Sequence, residues 1–103
     1  MITNIVVATI TGFCACKLCC GPQAKGLTAN GNKPIEGITI AASRKIPFGS
    51  MVFISDKAYV VQDRLAKRYD SRFDIYFRDH AAARNFGIKT NQTVVVIIRD
   101  IKR

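Results

Sequence analysis

Six short runs rich in Val, Ile and Thr constrain this chain more than any other feature of it: residues 5–13, 38–42, 51–54, 59–62, 73–77 and 93–99. Each is four to nine residues long, and most are bounded by Gly, Pro, Asp or Asn. β-Branched side chains lose freedom in a helix and pack well on a pleated surface, so these runs predict six β-strands. A single segment predicts a helix. Asp79 stands where an N-cap is wanted, His80–Phe86 supplies the turns, and Gly87 ends them with a left-handed residue. So short a helix has no stability of its own and must dock on the sheet, here through Ala82 and Phe86. Six strands and one small helix predict an all-β domain built as a small closed or nearly closed barrel, because closure removes the unpaired edges of a flat sheet. All of 1–103 reads as one domain, since a chain this size buries only about 60–65% of its unfolded surface.

Sixteen Lys and Arg against seven Asp and Glu give a net charge of +9. That balance draws the domain to polyanions, whether nucleic acid, anionic lipid or a wall polymer, without choosing among them. No membrane span is predicted, because the longest aliphatic run, residues 94–98, falls far short of the roughly 20 apolar residues that a spanning helix needs. The start, Met1-Ile2-Thr3-Asn4-Ile5, has no basic n-region and no small-residue cleavage pattern follows it, so no export signal is expected.

Two segments fit no regular element, residues 14–33 and residues 64–71, and loops are where chemistry is usually carried. Cys14, Cys16, Cys19 and Cys20 place four thiols within seven positions. Three readings stand: local disulfides across the turn, a single-loop zinc site, and thiols that merely pack. Zinc would lack the separated second pair that a finger uses, and the even count favours an oxidising compartment. His80, the only histidine, reads as a solvated or capping residue at the start of the helix. The carboxylates say more. Asp63 ends the fourth run, Asp74 begins the fifth, and Asp70 lies in the basic loop between them. Burial at strand ends raises proton affinity, while Arg64, Lys67, Arg68 and Arg72 lower it. Environments that pull two carboxyls apart make an acid and a stabiliser from one residue type. The plain alternative is a pair of ion-paired surface carboxylates.

Residues 16–21, then Gly26-Leu27-Thr28-Ala29-Asn30-Gly31, residues 39–50 with Ile46-Pro47-Phe48-Gly49, Val61-Gln62-Asp63-Arg64 and Arg72-Phe73-Asp74-Ile75-Tyr76-Phe77 follow in order. Together they resemble the three-aspartate (3D) domain family over roughly residues 5–98. The resemblance implies a six-stranded double-psi β-barrel, shared with the catalytic core of membrane-bound lytic transglycosylase A and more distantly with expansin-like proteins and rare lipoprotein A. It implies cleavage of the peptidoglycan glycan strand with no cofactor. Asp74 would be the general acid/base, Asp63 the carboxylate that stabilises developing charge, and Thr28 and Gly31 the border of the cleft, with Arg64 and Arg72 binding substrate.

Two departures stand out. Ala42-Ser43 occupies the place of the family's first aspartate, and Arg64-Leu65-Ala66-Lys67 replaces the Gly-Gly pair after the second. A phage-like subgroup is similar in its Lys67-Arg68-Tyr69-Asp70 loop, and action at a cell wall or in association with phage is expected. Three function classes are compatible with the residues: a lytic transglycosylase-like enzyme, a non-catalytic barrel that binds wall or other glycan, and a basic module for nucleic acid or an intracellular partner. Three Tyr and six Phe follow strand spacing more than they form a stacking platform, which disfavours the last.

Overall fold

The structure, a computed structural model, describes residues 2–15 and 26–99. The strands are β1 (Ile2–Phe13), β2 (Thr39–Ala42), β3 (Met51–Ile54), β4 (Lys57–Arg64), β5 (Arg72–Tyr76) and β6 (Lys89–Ile98), with a 3₁₀ turn at Lys67–Tyr69 and one helix, α1 (His80–Phe86). They close into one mixed barrel in the order β1-β5-β2-β4-β3-β6. β1–β5 and β2–β4 are parallel, and the other four pairs are antiparallel. The sequence reading of a mainly β, six-stranded closed barrel holds.

Alternation along each strand fills the interior. Ile10, Ile40, Val52, Val61, Ile75, Val94 and Val96 point inward and are almost wholly removed from water. Burying side chains of this size stabilises the fold by about 1.5–3 kcal/mol each. Several strands run further than their apolar stretch. β1 starts at Ile2 because residues 2–4 find a ladder opposite Ile98, Ile97 and Val96, and β6 starts at Lys89 because Ile10 stands opposite it. A ladder joins backbone groups, so polar residues continue a strand wherever a partner strand is present.

The helix forms where expected, with two corrections of detail. Asp79 is extended (φ −102°, ψ 131°) but its carboxylate makes no capping bond, and its carbonyl takes the Ala83 N–H at 3.1 Å. Ala83, more than Ala82, is the residue the helix buries. Gly12 on β1 explains the docking: a Cβ there would lie 2.8 Å from the Phe77 ring and 3.1 Å from the Ala83 carbonyl oxygen. Phe86 then packs on Phe77 with ring centroids 5.3 Å apart. Among the described residues no helix is long and apolar enough to cross a membrane.

Candidate functional site

Strand register builds a polar row that no single segment contains. Thr11 on β1 stands opposite Asp74 on β5, Asp74 opposite Ala41 on β2, and Ala41 opposite Asp63 on β4. Residues opposite one another share a face, so all four side chains point away from the interior that Ile10, Ile40 and Ile75 fill. Two strand spacings separate the Cα atoms of Asp63 and Asp74 by about 10 Å. Asp63 owes its place to a β-bulge. Ile40 pairs with Val61 but Ala41 pairs with Asp63, which leaves Gln62 as the extra residue. With regular pairing Gln62 would face Ala41, and the second carboxylate would leave the row.

The two carboxyls are half-buried and differently served. Burial pushes Asp74 up to about 6, with the Asp63 charge adding to the rise; the Thr11 hydroxyl, donating to Oδ1 at 3.0 Å, and more weakly the Arg72 charge oppose it. Burial also raises Asp63, against the N–H groups of Arg64 (2.8 Å) and Ala29 (3.0 Å), both donating to its Oδ1, and against the Arg64 charge. Backbone N–H donors favour the ionised form. Asp74 is therefore the group that keeps a proton into the mildly acidic range, while Asp63 has two backbone N–H donors that favour its ionised form.

A loop before β2 straps onto the bulge. The Asn30 N–H donates to the Gln62 carbonyl at 3.2 Å, and the Thr39 hydroxyl donates to Gln62 Oε1 at 2.5 Å. Thr28, expected at the border of the cleft, is buried and spends its hydroxyl inside this loop, on Asn30 Oδ1 and the Asn32 carbonyl. It shapes the turn that presents the Ala29 N–H to Asp63. Gly31 is exposed, with φ +87° and open space beyond its Cα. Arg64 donates to the Ser43 carbonyl at 3.2 Å and lies 3.9 Å over the Phe48 ring, and Arg72 lies 4.5 Å over Tyr69.

Ala42-Ser43 and the Leu65 segment have definite places. Ala42 is 0% exposed in the barrel core, so a carboxylate there would point into hydrocarbon, and Ser43 accepts the Lys45 N–H at 3.1 Å. Leu65 packs with Phe13, Ala41 and Tyr76 as a small apolar cluster on the outer face, walling the aspartate row. A groove of about 440 Å³ lies beside the row, running from Arg72 and Phe73 towards Lys45 and the first half of β1.

Cys14 and His80, 66 positions apart, meet with Sγ and Nδ1 at 3.3 Å, and Cys14 is 2% exposed. His80 is thus more than the solvated helix residue its isolation in sequence suggested. Cys16, Cys19 and Cys20 lie outside the described residues. Among the described residues no group of three or more His, Cys, Asp and Glu is placed to hold a metal ion. Sequence reasoning missed Thr11, the Ala29 N–H and the Cys14–His80 contact, all of which depend on pairing between distant segments. Compared with known proteins, the chain matches no protein-family model and no curated protein sequence.

Proposed function

We propose that this barrel is a lytic transglycosylase-like enzyme of the double-psi, 3D-domain type that cleaves the glycan strand of peptidoglycan. One observation carries the reading: Asp74 and Asp63 flank Ala41 on one outer face, and Asp74 retains its proton to about 6. Parallel pairing of β1 with β5 and β2 with β4 supports the double-psi assignment.

Protonated Asp74 donates its proton to the glycosidic oxygen as the C1–O bond breaks, and the electron pair leaves with that oxygen. Positive charge develops on the ring and C1, opposite the ionised Asp63, in the roughly 10 Å between the two backbones. The sugar's own 6-hydroxyl then attacks C1 and gives its proton to the Asp74 carboxylate. This closes an anhydro ring and restores the starting acid, so one acid serves both half-steps and no metal is needed. A net charge of +9 favours approach to an anionic wall polymer.

The test is product analysis on purified sacculi. The enzyme reading expects anhydro-muropeptides from the wild type and none from Asp74→Asn. A wild type that co-sediments with sacculi yet releases no anhydro product would leave a glycan-binding barrel in its place.

A further inference from the structure

β1 is paired on both edges only around Thr9 and Ile10. Residues 2–8 are bonded to β6, but β5 joins the other edge from Thr9 onward, and among the described residues no strand covers that edge before it. The uncovered stretch, Ile2-Thr3-Asn4-Ile5-Val6-Val7-Ala8, holds no charge, proline or glycine. Those are the devices by which sheet edges are normally protected from pairing, so this edge is built to be covered.

The groove of about 440 Å³ runs along this edge, within the roughly 300–1,000 Å³ of ligand clefts. Val6, Val96, Phe73 and Ile46 contribute apolar lining. Ser43, Lys45, Ser71 and Arg72, from other parts of the chain than β1, also line the groove. Among its charged residues Lys45 and Arg72 outnumber Asp70. A second copy of the chain is opposed by charge, since two molecules of +9 repel each other.

We propose that the uncovered edge of β1 from Asn4 to Ala8 binds an extended acidic polypeptide segment, which adds to the barrel as a strand. Backbone groups of the segment would complete the β1 ladder, its alternate apolar side chains would enter the groove, and its carboxylates would face Lys45 and Arg72. This site is separate from the glycan reading and survives its failure.

The test titrates the isotope-labelled full chain with a capped heptapeptide alternating Glu and Val, with the Lys/Val peptide as control. Expected are amide shifts and slowed hydrogen exchange concentrated in residues 4–8, and at least tenfold weaker binding in Lys45→Glu, whose melting temperature checks that it is folded. Absence of change in residues 4–8, equal binding of the Lys/Val peptide, or indifference to Lys45→Glu overturns the proposal. Protection of the same amides without peptide, growing with protein concentration, overturns it in favour of a second copy.

Discussion

The two halves of β1 make two different surfaces from one strand. From Thr9 to Phe13 it runs parallel to β5, and its outward Thr11 serves the buried carboxyl of Asp74. From Ile2 to Ala8 it runs beside β6, and its outward residues are Thr3, Ile5 and Val7, the last two 71% and 67% exposed. The row through Ile5 continues across Val95, Phe53 and Ala58, with no polar side chain in it. The inner face differs as well: Ala8 and Ile10 join Val94 and Val96 in one core, whereas Asn4 and Val6 before them are exposed. The interior sets the fold, and the outer face divides into a polar site walled by the Phe13, Ala41, Leu65 and Tyr76 cluster and a more apolar sheet. A carboxyl such as Asp74 is costly where it stands, and that cost marks the half built for chemistry.

The largest effect should come from Asp74→Asn. Anhydro-product release is expected to fall by roughly 10²–10⁴-fold, the usual worth of a positioned acid/base. The same change should stabilise the fold at neutral pH. A carboxyl raised from 3.8 to about 6 contributes stability that is complete below about pH 4 and lost as pH rises through about 6. Removing its charge should therefore gain up to about 3 kcal/mol at pH 7.5 and nothing at pH 3.5. Paired thermal melts at those two values check it, and equal melting temperatures at pH 7.5 would mean Asp74 is an ordinary solvated acid.

Gly12→Ala should come next, destabilising by about 1–3 kcal/mol in denaturant melts, because the new methyl meets the Phe77 ring and the Ala83 carbonyl. Thr11→Val is expected to act in the opposite sense to a loss of charge. It removes the hydroxyl that favours ionised Asp74, so the alkaline limb of the pH–rate profile should move upward by about a unit or less, in keeping with a hydrogen bond of about 0.5–1.5 kcal/mol. A downward move would assign Thr11 another role. Smallest of all, Ile5→Thr on the apolar half should change stability by within about 0.5 kcal/mol and leave product release alone. A large loss of either would merge the two halves into one site.

Elements with a strong local signal were legible in the sequence. Met51–Ile54 and His80–Phe86 have the predicted bounds, and Thr39–Ala42 differs by one residue, because β-branched runs and a Gly-terminated helix declare themselves locally. The two carboxylates were legible as candidates from their position at strand ends among arginines. Their neighbours were not. Thr11 meets Asp74 through a parallel pairing of segments 63 positions apart, and Asp63 enters the row through a bulge one residue long. Neither parallel partners nor bulges leave a periodicity that a single sequence reveals. For the same reason residues 5–8 read as the start of an ordinary strand, although their second edge is uncovered.

The central claim, that two carboxyls share one face so that one of them holds a proton, is tested most directly by carboxyl-carbon NMR titration of Asp74 in the wild type and in Asp63→Asn. The account predicts a midpoint near 6 in the wild type and a lower one once the Asp63 charge is gone. A wild-type midpoint near 4, or one that does not respond to Asp63→Asn, would contradict it.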